Sequence, residues 1–340
     1  MSVRVKDIAE LLGISPSTVS LVLNNKPGIS QKTRQRVFDA ISEMGYETNF
    51  LSKPALSNNN SIRLIVYKKH GKVVSDTPFF AELLEAIESE ARKNGYNLVF
   101  SYINENENKV DVLKLIKDHP LDGVLVLATE MNNEEIASFS IIDTPVLVLD
   151  NYFQSEKFDT VVINNVQGAY EAVRYLLNCG HRRIGYLHSS IKINNFIERY
   201  DGYAKSLRDN QIKIENDYIW ELDSTMDGAY KDTKELIVKN KNLPSAFFAD
   251  NDIIAFGAMK AFKEAGFNIP EDISIIGFDD MPFCEMAEPT LTTIRVYKQT
   301  MGRLAVRRLI ESIESKISDY IKIEIGTELI KRKSVKNLNA

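Results

Sequence analysis

Val5-Lys-Asp-Ile-Ala-Glu-Leu-Leu-Gly13 runs directly into Ile14-Ser-Pro-Ser-Thr-Val-Ser-Leu-Val-Leu-Asn24, and Ser30-Gln-Lys-Thr-Arg34 follows. Ile8, Ala9 and Leu12 fall on one face of a first helix that stops at Gly13, and Val19, Val22 and Leu23 on one face of a second, so the two stripes can pack. Ile14 fills the angle between them. Ser15 is suited to cap the second helix, and Pro16 to open it, where its missing N–H costs nothing. A third helix is expected from about Gln31 to Met44, with Ser30 as its cap, Val37, Ile41 and Met44 as its buried face and Gly45 as its stop. Three small helices then share one core, and a capped helix end projects outward. This is the smallest unit that can place a helix in a DNA groove, although the pattern alone also fits any small helical bundle. Residues 1–60 carry seven Lys or Arg against five Asp or Glu, while the chain as a whole has a net charge of −5. A mildly basic head on an acidic protein suits contact with phosphates.

From Ile62 onward, apolar runs alternate with amphipathic stretches. Strands are expected at Ile62–Tyr67, Leu98–Tyr102, Val124–Leu127, Val146–Leu149, Val161–Ile163, Ile184–Leu187, Ala246–Phe248 and Ile273–Phe278. Helices are expected over Phe80–Ala91, near Val112–Lys117, and around Tyr170–Asn178, Ile197–Arg208 and Ile253–Ala265. Such alternation predicts an α/β fold with parallel sheets covered on both faces. Roughly 280 residues are long for one core, and the pattern restarts midway, so two similar lobes are expected. The expected division is a helix-turn-helix domain at 1–46, a linker at 47–61 and a two-lobed domain at 62–334. Within the last, 62–160 with 291–320 would form one lobe, and 161–290 with 321–334 the other.

Ligands of open parallel sheets sit at the carboxyl ends of the strands. Asp150, Asp250-Asn-Asp252 and Asp279-Asp280 each follow an expected strand, and Arg199 stands three residues before Gly202-Tyr203. Together they offer acceptors and a fork of donors to a ligand rich in hydroxyls. Taken singly, an Asp or Asn at a strand-to-helix turn also serves as a helix cap.

The run from Lys6-Asp-Ile-Ala through Ser15-Pro-Ser-Thr-Val-Ser20, Leu23-Asn24, Ser30, Thr33-Arg34 and Gly45-Tyr46 resembles the LacI/GalR family of bacterial transcriptional regulators, and the resemblance extends to about Ser334. It implies a fold of two periplasmic-binding-protein-like lobes behind a helix-turn-helix head. It also implies a homodimer on a pseudo-palindromic double-stranded DNA operator, most simply as a repressor of carbohydrate genes that answers to a sugar. Pro16, Ser17 and Leu21 would face base edges, and Ser15, Thr18, Ser20, Asn24, Ser30 and Thr33 would hold phosphates or support those that do. Leu21 departs from the arginine or histidine usual there; it can at most touch a thymine methyl, so direct readout should be less exacting. The hinge departs too: Pro54 breaks the expected helix, leaving either a short helix with Leu56 or Leu51 as minor-groove wedge or a polar tether.

By the same resemblance Arg199, Asn251, Asp279 and Asp150 would bond to the effector, and Phe79 or Phe80 would supply an apolar face. Asp223 falls where relatives often stack an aromatic ring, with Trp220 three residues early, which favours a hydroxylated ligand over a purine. Pro289–Arg295 and the helix around Gly302–Ile313 resemble the return crossing and the dimer surface. No leucine heptad follows, so a dimer is expected rather than a tetramer.

A secretory leader and a run of roughly 20 apolar residues are both missing, which places the expected protein in the bacterial cytoplasm without membrane contact. Cys179 and Cys284 are isolated, His70, His119, His181 and His188 are scattered, and no metal or cofactor motif is found. Two other classes remain: a sugar-binding receptor without a regulatory role, and a sugar-acting enzyme using Asp250, Asp252, Asp279 and Asp280.

Overall fold

The computed structural model describes residues 5–23, 29–30, 33, 36–37, 40, 60–74, 78–105, 121–240, 242–315 and 319–339, without the side chains of 5–7, 17, 20, 21 and 23. The chain forms two compact units, residues 1–58 and 59–340.

In the first unit, helices span Val5–Leu12 and Pro16–Leu23. The turn between them follows from Gly13, whose φ of 65° is costly for any residue with a side chain. That conformation lets the Ile14 N–H return to the Ala9 carbonyl at 3.0 Å, closing the first helix. Ser15 Oγ accepts the Thr18 N–H at 3.1 Å, and Ser30 Oγ the Thr33 N–H at 3.2 Å, so both expected caps are made. Thr33, Arg36, Val37 and Ala40 are helical. Ile8, Ala9, Val19, Val22, Val37 and Ala40 are buried together, with Leu12, Ile14 and Ile29 packed against them. Ile41 and Met44, also expected on that face, lie outside the described residues.

Among its described residues the second unit holds two six-stranded sheets. The first contains β1 (Ser61–Lys68), β2 (Asn97–Asn104), β3 (Gly123–Leu127), β4 (Val146–Leu149), β5 (Asp159–Ile163) and β11 (Lys322–Ile325), in the order β2-β1-β3-β4-β5-β11. The second contains β6 (Ile184–Ser189), β7 (Ile219–Leu222), β8 (Ala246–Ala249), β9 (Ser274–Asp279), β10 (Thr292–Val296) and β12 (Thr327–Ile330), in the order β7-β6-β8-β9-β10-β12. The two orders are equivalent. All pairings are parallel except β10 with β12.

The strands are apolar throughout because both faces are covered. In β3, Leu125 and Leu127 enter the cluster with Leu64, Leu147 and Leu149, whereas Val124 and Val126 face the opposite way into a cluster with Ile65 and Val148. That is a period of two with no polar face.

Strand pairing corrects the expected lobe boundaries. Asp159–Ile163 lies wholly in the first sheet, and Thr292–Val296 pairs with β9 in the second, so the return crossing falls after Val296 rather than at 291. Helix Lys298–Ser315 then packs against helix Phe79–Lys93 of the first lobe. β11 joins the first sheet and β12 the second, with Gly326 as the single residue between them. Strand β7 and helix Met226–Lys239 were not anticipated. The expected helix near Val112–Lys117 lies outside the described residues.

Helices Asn165–Asn178 and Asn194–Asp209 pack closely at Gly202, where a Cβ would come within 2.3 Å of the Val166 carbonyl oxygen and 2.8 Å of Ala169 Cβ. Gly202 is therefore a packing residue, and Tyr203 is buried with its hydroxyl donating to the Ile184 carbonyl at 2.8 Å. Gly202→Ala should destabilise the second unit by about 2 kcal/mol, since the obstacle is backbone and cannot rotate away. The midpoint of urea unfolding measures it, and an unchanged midpoint would show that the helices separate freely.

Candidate functional site

Asp150, Arg199, Asn251 and Asp279, far apart in sequence, line one cavity with Phe79 and Phe80. Val73, Thr129, Ile163, Ile193, Asn195 and Phe196 complete its wall. The cavity lies between the carboxyl ends of the two sheets: Thr129 and Asp150 come just after β3 and β4, and Asn251 and Asp279 from the ends of β8 and β9. Its free volume of about 20 Å³ is close to the room one water needs.

Arg199 is 3% exposed, and each of its three nitrogens has an acceptor. Its Nε donates to Asn165 Oδ1 at 2.9 Å, one terminal nitrogen donates to the Asp250 carbonyl, and the other to Asp279 Oδ1 at 3.2 Å. The guanidinium lies 3.8 Å from the centre of the Phe278 ring. A buried cation is tolerable only with such a set of partners.

Asp150 joins the lobes. It accepts Thr129 Oγ1 at 2.7 Å from its own lobe and Asn195 Nδ2 at 3.1 Å from the other. Burial pushes its pKa up to about 6, despite the donors and Arg199. Asp279 is also raised, chiefly by burial, with Arg199 and Lys298 opposing. Asp150, Asp279 and Asp280 all have positive φ, at 64°, 109° and 49°. Left-handed backbone at three residues without glycine is costly, and it turns the chain sharply at the strand ends. Lys298, 4% exposed, supports the second turn by donating to the Asp279 and Asp280 carbonyls at 3.0 and 3.3 Å.

Asn251 lines the cavity and also caps helix Asp252–Glu264, accepting the Ile254 N–H at 2.9 Å. Its neighbours point elsewhere. Asp250 accepts from the Tyr186 hydroxyl, from His188 Nδ1 at 2.8 Å and from the Ser189 N–H at 2.6 Å, bracing β8 against β6. Asp252 accepts from Met281 N at 2.9 Å, Thr293 Oγ1 at 2.6 Å and Cys284 Sγ at 3.1 Å, and burial raises its pKa to about 7. Asp280 pairs with Arg295 Nε at 2.7 Å and with Arg332 at 2.8 Å. Of the four carboxylates weighed for an enzyme, only Asp279 lines the cavity. Asp223 does not line it either; it forms an ion pair with Lys72 at 2.5 Å, because its turn at the end of β7 faces the loop after β1.

In the head, Ser15, Pro16, Thr18, Ser30 and Thr33 stand at the capped starts of the second and third helices. The side chains of Ser17, Ser20 and Leu21, and all of Asn24 and Leu56, lie outside the described residues.

Residues 4–49 match the bacterial regulatory proteins of the lacI family, and residues 173–335 the periplasmic binding protein-like domain. The chain is 32% identical to the "HTH-type transcriptional repressor PurR" of Mannheimia succiniciproducens, over 98% of this chain and 99% of that protein. The chain belongs to the LacI family of bacterial regulatory proteins. A second PurR, from Haemophilus influenzae (strain PittEE), is 30% identical over the same shares. Among solved structures, the Lac repressor dimer bound to operator and the anti-inducer ONPF is similar, with a TM-score of 0.73, 25% identity and coverage of 99% of this chain and 100% of that one. A LacI family regulator from Enterococcus faecium with bound ribose has a TM-score of 0.70 and 26% identity, covering 82% of this chain and 99% of that one.

As a LacI family member the chain is a transcriptional repressor with a ligand-binding domain, in a family of regulators rather than enzymes. Among the described residues no helix is long and apolar enough to cross a membrane, and no cluster of His, Cys, Asp and Glu is arranged to hold a metal.

Sequence reasoning missed Thr129, Asn195, Phe196 and Lys298. Thr129 was findable, since it stands two residues past the end of β3, as Asp150 stands one past the end of β4. Asn195, Phe196 and Lys298 needed the packing of helices, which leaves no mark in spacing.

The Asp150 carboxyl has an ordinary pKa of 3.8 and a folded one of about 6, so the folded state holds its proton more firmly. Its contribution to stability is greatest below about pH 4 and declines as pH rises through 6. Asp150→Asn should flatten the fall in melting temperature of the second unit between pH 5 and pH 7. A variant with the same pH slope as the parent would show that Asp150 is ionised throughout.

Proposed function

We propose that this LacI family repressor answers to a small hydroxylated effector, a sugar or sugar derivative, held between the two lobes. The observation that carries this reading is the mixed set of acceptors and donors, Asp150 from one lobe with Asp279, Asn251 and Arg199 from the other, around one cavity with aromatic walls at Phe79, Phe80 and Phe196. Carboxylates accept hydroxyl protons, guanidinium and amide groups donate to ring and hydroxyl oxygens, and aromatic edges cover the apolar face of a sugar ring. The ribose bound to the Enterococcus faecium relative supports the same choice.

The head would read an operator through Pro16, Ser17 and Leu21, with Ser15, Thr18, Ser20, Asn24, Ser30 and Thr33 on or beside phosphates and Leu56 at the hinge. Two heads in a homodimer would meet the two halves of a pseudo-palindromic site. Exposed apolar side chains support a dimer: Phe100 and Tyr102 on the edge strand β2 are 44% and 55% exposed, and Met286 in the second lobe 77%. Effector and operator then compete or cooperate through the dimer, and coupling of about 1–3 kcal/mol suffices.

The name PurR on the curated relatives keeps a second reading in play, an aromatic nucleobase between Phe79 and Phe196. Melting of the full chain with D-ribose, D-galactose, cellobiose, guanine and hypoxanthine decides between them, because a ligand that binds only the folded state raises its stability. A rise with a sugar and none with the bases is expected. A rise with the bases alone would overturn the sugar reading. Arg199→Ala should abolish the rise, while binding to a duplex selected from a random pool is retained.

A further inference from the structure

The loop that leaves β1, Lys69–Val74, is held by one carboxylate. Glu130 is 3% exposed and accepts five backbone N–H groups. Those of Lys69, His70 and Gly71 meet Oε2 at 2.8, 2.8 and 3.0 Å, and those of Val73 and Val74 meet Oε1 at 3.1 and 3.2 Å. Burial alone would raise the Glu130 pKa, but the donors outweigh it and hold the carboxyl below its ordinary value. A charged group buried among five donors fixes the loop as a rigid projection.

That projection offers two adjacent side chains to the other lobe. Val73, 6% exposed, packs with Ile193 and Phe196 in an apolar cluster that belongs to neither main core. Lys72 reaches Asp223 Oδ2 at 2.5 Å. Asp223 is itself fixed, since its other oxygen accepts the Thr225 N–H at 2.9 Å and hydroxyl at 2.7 Å, and its own N–H donates to Asp232. Burial opposes its charge, yet Lys72 and Thr225 bring its pKa down to about 2. Val73 lines the cavity, whereas the side chain of Lys72 is 48% exposed, so the loop stands between cavity and solvent. Behind it the free volume is about 20 Å³, too small for a sugar.

We infer that Lys72 and Asp223 form the gate of the effector cavity, an ion pair between the lobes that must part before a ligand enters, with Val73 as its apolar plug. The inference rests on the cleft being the effector site. A partly exposed pair is a weak fastener, worth a few fold in population and sensitive to salt, which suits a gate that opens unaided.

Hydrogen exchange of the full chain, without any added ligand, tests the gate separately from the identity of the effector. Lys72→Met and Asp223→Asn should each speed exchange in segment 189–197, which the loop covers, by about two- to five-fold, with β3, β9 and the Glu130-bonded amides of 69–74 unchanged. The double variant should exchange no faster than either single one. Sodium chloride at 0.5 M should speed the same segment in the parent and leave the variants unmoved. Unaltered exchange in the single variants, or additive acceleration in the double, would overturn the gate. A gate that behaves as described in a protein stabilised by no sugar would leave the latch intact and sink only the sugar reading.

Discussion

Everything in the cleft is arranged around the burial of one guanidinium. Arg199 has left water almost completely, and its charge is accommodated by an amide oxygen, a backbone carbonyl, a carboxylate and the face of an aromatic ring. Those partners come from helix Asn165–Asn178, from the end of β8 and from the end of β9, so satisfying the cation fixes three strand-end or helix positions at once. Asp279 can hold its unfavourable φ because Arg199 takes its carboxylate and Lys298 its carbonyl. Remove the arginine and two buried carboxylates, Asp150 and Asp279, lose the cation that both feel, with Lys298 left beside Asp279 alone.

Two of the polar contacts that cross the cleft differ in depth. Asp150 with Asn195 is buried and polar, at the inner end, where a broken hydrogen bond leaves both partners without water. Lys72 with Asp223 lies toward solvent, where water replaces a lost partner at little cost. The inner contact sets the geometry of closure, and the outer one its ease. Glu130 belongs to the second system, because it fixes the loop from which Lys72 and Val73 extend.

Much of this was legible in the sequence, for reasons that separate cleanly from what was not. The buried strands announced themselves as unbroken apolar runs, and Ser15, Pro16, Gly13 and Ser30 marked helix ends by local chemistry that tertiary packing did not override. β7 was missed because Trp220 and Leu222 alternate with exposed Glu221 in only four residues, too short for periodicity to speak. Helix Met226–Lys239 buries only Ala229 and Thr233, with Leu236 and Ile237 partly covered, a face too small and too polar at its start to stand out in the sequence. Asp150, Arg199, Asn251 and Asp279 could be named from strand-end position and family likeness, whereas Asp223 was displaced from its expected place by a partner, Lys72, 151 residues away. Asp250 and Asp252 look like ligand-seeking carboxylates in sequence, and only the structure reveals that their oxygens are already taken by Tyr186, His188 and Ser189, and by Thr293, Met281 and Cys284.

Gly326 stands alone between a strand of one sheet and a strand of the other. A Cβ there would meet nothing within 4 Å, so its surroundings leave it room to turn. With each neighbouring strand stitched into its own sheet, the lobes are tethered at a distance of one residue and cannot translate apart. Whatever motion admits a ligand must be a rotation with its axis close to this point, small in arc beside the tether and largest at the rim where the chain is farthest from it.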